Sequence, residues 1–197
     1  MRPVPNFTLH IALAGAVLME LAINNRVDCG LDSFTVMDNN PTGDPILDRY
    51  LQQVSATDAQ KEVKYWLNDI ADDGEELVKL GFDRLVERKI LAETEKRLLW
   101  VVKTKIYPTL DGSVEHNAKL RLMNILYSDD LPDPRDVVMF NLLDSCDMFR
   151  VLLPAAEVTR LQTKIRTISQ LDLIGLETSK LIREIQIALV ATHAPLF

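Results

Sequence analysis

The side chains able to do acid–base, nucleophilic or metal chemistry are few and scattered. His10, His116 and His193 lie far apart. None stands at ligand spacing from a cysteine or carboxylate, as a zinc site would require. Cys146 follows Ser145 in an apolar stretch, where a thiol behaves as a small inert hydrophobe rather than a nucleophile. The run Asp72-Asp73-Gly74-Glu75-Glu76 supplies carboxylates but not the ligand spacing of a calcium loop. It reads instead as the opening of a helix, whose dipole it complements. Glu20 is the unusual carboxylate, because it interrupts an otherwise apolar run. A carboxyl group so placed must be paired, hydrogen-bonded or protonated, and Arg26, just past the same run, is the expected structural partner. The chain has no dinucleotide fingerprint, no phosphate loop and no Gly-x-Ser-x-Gly elbow. These residues predict no catalytic centre, no metal and no cofactor.

The elements that would position these groups are mostly helical. Ile11–Met19 has no polar residue, and Ala12, Ala14, Gly15, Ala16 and Ala22 are small. The run is shorter than the roughly 20 apolar residues of a membrane span. Pro3, Pro5 and Glu20 do not fit a signal peptide. It therefore predicts a helix buried on all sides, capped at Asn6 or Thr8. Asn24-Asn25 should stop it, because asparagine tolerates the left-handed conformation. Val27–Met37 predicts a short hairpin turning at Gly30. Asp38–Gly43 is turn-rich, and Gly43 and Asp44 are structural: a turn, then a cap on a helix with Pro45 at its first position, running to about Val54.

Thr57 or Asp58 should start the next helix, striped by Val63, Trp66, Leu67 and Ile70. Beyond the acidic run, Val78, Phe82 and Leu85 continue a buried face. Leu91–Thr94 and Arg97–Val102 read as a second hairpin around Glu95-Lys96, with Thr104–Pro108 extended. From Ser113 the helical spacing returns in Val114, Ala118, Leu122 and Ile125. Further helices are expected over about Pro134–Asp147, Pro154–Ser169 and Gly175–Thr192. No internal repeat or long linker divides the chain. The predicted class is mainly α: a compact single-domain helical fold over residues 1–197, with two small β-hairpins.

Composition agrees. A chain of 197 residues, 47% hydrophobic and 26% charged, can bury a core without covalent staples. Two cysteines make no disulfide framework, which points to a reducing cytoplasm. A net charge of −7 argues against a general nucleic-acid binder, whose domain is normally basic.

Three stretches taken in series carry a resemblance. They are Leu13-Ala-Gly-Ala-Val-Leu-Met-Glu-Leu-Ala-Ile-Asn-Asn-Arg-Val27, then Pro41-Thr-Gly-Asp-Pro-Ile-Leu-Asp48, then Arg84-Leu-Val-Glu-Arg-Lys-Ile-Leu91 with Tyr107-Pro108 following. In this order and spacing the chain resembles the Golgi phosphoprotein 3 family, and its short loops point to the bacterial members. The family's opening segment, ahead of the first helix, is missing here.

The resemblance implies a non-enzymatic adaptor, cytoplasmic and peripheral on the membrane. It implies binding to the headgroup of an anionic lipid such as phosphatidylinositol 4-phosphate, a protein client and possible homo-oligomers. It implies a basic pocket with an aromatic neighbour, for which Lys119, Arg121, Arg2 and Phe7 are the candidate contacts. The family's first-helix arginine falls at Ala14. It also implies a hydrophobic hairpin entering the bilayer, expected near Ser128–Arg135. The alternative is a soluble interaction scaffold that keeps the fold without the lipid pocket.

Overall fold

A computed structural model describes residues 4–29, 34–57, 61–98, 102–172 and 174–182. The fold is mainly helical, with two small antiparallel strand pairs in one compact domain. Helix α1 (Asn6–Ile23) is the central element. Helices α2 (Pro45–Ser55), α3 (Val63–Asp72), α4 (Gly74–Glu87) and α6 (Pro134–Ser145) pack around it. By length and composition α1 could cross a membrane. Its Ile11, Ala12, Ala14, Val17, Leu18, Met19 and Leu21 are instead buried in the main core, with Tyr50, Leu51, Trp66, Leu67 and Ile70. A second core joins α5 (Ser113–Tyr127), α6, the short α7 (Phe149–Leu152) and α8 (Ala155–Ser169) through Leu122, Leu126, Phe140, Phe149 and Ile165. A helical segment across 174–182 closes over α1, burying Ile174, Leu181 and Ile182.

Several local expectations need correction. Pro5, not Asn6 or Thr8, takes the N-cap position of α1, without a side-chain cap. Thr8 is buried inside the helix. Helix α3 begins at Val63 rather than at Thr57 or Asp58, and residues 58–60 lie outside those described. Along α4 the deeply buried side chain is Leu77, while Val78, Phe82 and Leu85 are half-buried. The first half of α4 faces α1, and Phe82 stacks on Tyr107 with ring centroids 4.2 Å apart. Val114 of α5 is exposed. Helix α6 stops at Ser145, two residues early, and α7 follows. The turn expected at Gly30 and the helix beyond residue 182 lie outside the described residues.

The strand pairs differ in how well their sequence announced them. Strands β1 (Val27–Cys29) and β2 (Phe34–Val36) pair as Val27↔Val36 and Cys29↔Phe34, as expected. The second pair is displaced. Strands β3 (Thr94–Leu98) and β4 (Val102–Ile106) pair as Thr94↔Ile106, Lys96↔Thr104 and Leu98↔Val102. Glu95-Lys96 is therefore mid-strand, and residues 99–101, which join the two strands in sequence, lie outside those described.

Three helices end alike. Asn25, Lys89 and Asp147 have φ of 53°, 57° and 54°, each just past a helix. The next residue donates its N–H back down the helix: Arg26 to the Leu21 carbonyl at 2.9 Å, Ile90 to Leu85 at 2.9 Å and Met148 to Leu143 at 2.7 Å. These are Schellman ends without glycine. Lysine pays most for the left-handed conformation, so Lys89→Gly should stabilise the fold by about 0.5–1 kcal/mol. A thermal melt that falls, rather than rises by a few degrees, would contradict this.

Candidate functional site

The turn Pro41–Asp48 is a lock between elements. Gly43 has φ +85°, a left-handed value that favours glycine. The Asp48 carboxylate accepts from Thr42 N at 2.5 Å, Thr42 Oγ1 at 2.6 Å and Gly43 N at 3.3 Å. Thr42, through its side chain and then its backbone, holds the Asp48 carboxyl below its usual range. Asp44 caps α2, accepting from Ile46 N at 2.9 Å and Leu47 N at 3.3 Å. It also pairs with Arg84 of α4. Burial alone would raise the Asp44 carboxyl. The Arg84 hydrogen bond and the two helix N–H groups outweigh it and hold the group low.

Arg26 meets Asp38 at 2.5 Å and the Pro41 carbonyl at 3.3 Å. The expected Glu20–Arg26 pair is thus not formed. Glu20 accepts instead from Arg135 of α6, at 3.2 Å from Nε and 3.4 Å from Nη2. The correction is physical: Arg26 turns back into its own loop, and α6 brings a guanidinium from far along the chain.

The candidate lipid contacts are Arg2, Phe7, Lys119 and Arg121. Arg2 lies outside the described residues. Phe7 is half-buried in the first turn of α1. Lys119 is 3.8 Å from Glu115, one turn earlier on α5. Arg121 pairs with both Asp133 and Asp136. The hydrogen bond to Asp136, then that carboxylate's charge, raises the Arg121 pKa further. Asp133 and Asp136 also form a reciprocal capping box at the start of α6, with Asp133 N to Asp136 Oδ2 at 3.0 Å and Asp136 N to Asp133 Oδ1 at 3.0 Å. A cavity of about 280 Å³ lies between α5 and α6, lined by Asn117, Arg121, Arg135, Asp136 and Met139 among others. Both of its arginines are engaged by carboxylates. It therefore offers an anion little uncompensated charge. Residues 128–133 form an irregular connection before α6 rather than the hairpin expected there.

A larger cleft of about 510 Å³ lies beside the end of α1 and the start of α6. Its walls include Met19, Ile23, Pro132, Val137 and Leu171, with Asp172 and Asn25 as polar groups. Burial, then the charges of Asp172 and Asp28, pushes the Cys29 thiol up to about 12. Burial takes Cys146 to about 11. Neither is a ready thiolate. No group of His, Cys, Asp and Glu fit to hold a metal occurs among the described residues.

The β3–β4 ribbon has a different character. Its base is fastened: Ala92 N donates to the Pro108 carbonyl at 2.9 Å, Leu110 N to Ile90 at 2.8 Å, and Phe82 stacks on Tyr107. Beyond the base the two strands contact each other and make no comparable contact with another described element. Because strand positions alternate between faces, the register puts residues 95, 97, 103 and 105 on one face. In sequence these are Glu95, Arg97, Lys103 and Lys105. The opposite face carries Leu98, Val102 and Ile106 with Lys96, Thr94 and Thr104. The residues joining the strands are Leu99, Trp100 and Val101 in sequence. Between Arg88 and Lys105 there are six basic residues and two acidic ones, in a chain of net charge −7. Lys105 contacts Glu93 at 2.7 Å, while Arg88 and Lys89 are exposed just past α4. The signal was present in the run Lys96-Arg-Leu-Leu-Trp-Val-Val-Lys103. Placing the turn at Glu95-Lys96 hid it, because the apolar centre then read as strand.

The model of one protein family, Golgi phosphoprotein 3 (GPP34), matches residues 2–185 of the chain. No curated protein matches it.

Proposed function

The chain belongs to the Golgi phosphoprotein 3 family, and from that premise we propose that it is a non-enzymatic, peripheral membrane adaptor that docks on an anionic bilayer through the β3–β4 ribbon. The observation that carries the reading is the register Leu98↔Val102. It makes Leu-Leu-Trp-Val-Val the distal sequence of a ribbon whose strands carry Lys96, Arg97, Lys103 and Lys105. Tryptophan favours the headgroup level of a membrane, where one edge of the ring is wet and the other apolar. A few apolar side chains give weak insertion. Each cation near an anionic surface adds about 1 kcal/mol. Neither suffices alone, and together they give reversible anchoring. The acidic remainder of the chain would be repelled by the same surface, which orients the domain with the ribbon towards the lipid. The adaptor role, holding a protein client at the membrane, is the part of the proposal that rests on the family resemblance alone.

Vesicle co-sedimentation tests the reading. The protein should pellet with vesicles containing phosphatidylserine, and much less with neutral ones. Leu99→Ser with Trp100→Ser should abolish pelleting while leaving the thermal melt of the helical domain unchanged. If the native chain stays in the supernatant with every vesicle, the protein is a soluble interaction scaffold on this fold. If the double variant still pellets, the ribbon is not the docking element.

A further inference from the structure

The chain contains two Asp-Gly pairs, Asp73-Gly74 and Asp111-Gly112, and the fold treats them in opposite ways. We propose that Asp111-Gly112 is a modification site, at which aspartate rearranges to isoaspartate in the folded protein, while Asp73-Gly74 is protected. The reaction is intramolecular. The glycine amide nitrogen attacks Cγ of the protonated aspartic acid side chain. A new N–C bond forms, the nitrogen's proton and the carboxyl hydroxyl leave as water, and a five-membered succinimide ring results. Water then opens the ring at either carbonyl. Opening at the former backbone carbonyl routes the chain through the side chain, one methylene longer, and leaves a pendent α-carboxylate. Glycine favours the step, because it has no Cβ to crowd the attacking nitrogen and its backbone turns freely.

Ring closure must rotate the peptide between aspartate and glycine. At the second pair little opposes this. Asp111, Gly112 and Ser113 are all exposed. Asp111 Oδ1 accepts from Ser113 N at 2.9 Å, which folds the carboxyl group over Gly112. Among the described residues no backbone group bonds to the Asp111 carbonyl or to the Gly112 N–H, so the peptide that must turn is untied. A Cβ on Gly112 would meet nothing within 4 Å. Ser113, through its side chain and then its backbone, holds the Asp111 carboxyl below its usual range, so the reactive acid form is scarce and the conversion slow. At the first pair the same rotation is blocked. Gly74 is buried in the first turn of α4. The Asp73 carbonyl accepts from Leu77 N at 3.0 Å, a bond that rotation would break. The Asp73 carboxylate is held by Arg49 at 2.5 Å. The His10 ring packs on Gly74 so closely that a Cβ there would collide with it. The place of Asp111 gives the change a consequence. Leu110 N and Asp111 N both donate to the Ile90 carbonyl, at 2.8 and 3.2 Å, and α5 begins at Ser113. The extra methylene therefore falls between the base of the β3–β4 pair and α5, and it displaces the carboxylate bonded to Ser113 N, the kind of contact that secures a helix start.

The test ages the full chain at neutral pH for several weeks, folded and in urea, and then cuts it with trypsin. The two pairs fall in separate peptides, Tyr65–Lys79 and Ile106–Lys119. Isoaspartate in each is read by electron-transfer fragmentation, and independently by methyl transfer from S-adenosylmethionine with an isoaspartyl methyltransferase. In the folded protein it should accumulate at Asp111 and not at Asp73. In urea both pairs should convert alike, because the difference lies in the fold. Gly112→Ala keeps an ordinary backbone, with φ −76° at that position, so the melt should be unchanged while the isoaspartate at Asp111 is lost. No conversion at Asp111 in the folded chain, or equal conversion at Asp73, would overturn the proposal. So would conversion at Asp111 alone in urea, or conversion in Gly112→Ala at the native rate.

Discussion

Gly15→Val should lower the melting temperature by roughly 6–12 °C, through a loss of about 3 kcal/mol. Gly15 lies on α1 where the 174–182 segment crosses it. A Cβ atom there would stand 2.9 Å from Thr178 Cγ2 and 3.2 Å from Thr178 Cβ. Thr178 cannot swing clear easily. It is fully buried, β-branched, and donates its hydroxyl to the Ile174 carbonyl at 2.8 Å. Alanine at the same position gains about 1 kcal/mol of helix propensity over glycine, which offsets part of a clash worth about 1–3 kcal/mol. Valine is bulkier and gains less, so the clash wins. Combining Gly15→Ala with Thr178→Ala should bring the melt back to the native value or above it. An unchanged melt for Gly15→Val would mean that the 174–182 segment does not cross α1 at this point in solution.

The second large effect is expected at Asn141. Its side chain is completely buried in α6. Its amide nitrogen lies 3.1 Å from the Ser169 carbonyl, 2.7 Å from the Gly175 carbonyl and 3.1 Å from Ser179 Oγ. It thereby ties the end of α8 and the 174–182 segment to α6. Asn141→Leu keeps the volume but leaves two buried carbonyls without that donor, at about 1–3 kcal/mol each. A fall of about 3 kcal/mol, roughly 6–12 °C in melting temperature, is expected. Asn141→Asp should lose at least as much near neutral pH, because an ionised carboxylate has no proton to give. Loss of amide-exchange protection should appear first across 174–182. If both variants melt like the native protein, the amide is not a structural donor.

Much of the helical fold was legible because its signals are local. Asp44-Pro45 announces a capped helix start within two residues. Asn24-Asn25 announces a stop, and Asn25 takes the left-handed conformation. The stripe Val63, Trp66, Leu67, Ile70 is buried as its spacing required. What failed was non-local. Glu20 plainly needed a partner, but Arg135 is 115 residues away and Arg26 only six. Nothing near Glu20 could rank a distant guanidinium above a close one. Arg121 looked free because its two carboxylates belong to the next helix.

The ribbon failed for the opposite reason. Glu95-Lys96 is polar enough to pass for a turn, and Leu-Leu-Trp-Val-Val is apolar enough to pass for strand. That logic assumes both strands lie against a core. The register from Thr94↔Ile106 to Leu98↔Val102 instead puts Glu95-Lys96 inside a strand, so composition misplaced the strand ends. The candidate basic pocket depended on matching single positions to a family pattern. Lys119 and Arg121, the two basic candidates among the described residues, both have acidic neighbours.

The most direct test of the account is tryptophan emission with brominated phospholipids. The chain has two tryptophans. Trp66 is buried in the core against Phe34 and Tyr65, so added vesicles should leave it unaffected. Trp100 belongs to the sequence joining β3 and β4. On anionic vesicles the emission should shift to shorter wavelength and be quenched by bromines carried on the acyl chains, and Trp100→Phe should remove both changes. Co-sedimentation with the same vesicles, but with no shift and no quenching, would contradict docking through the ribbon.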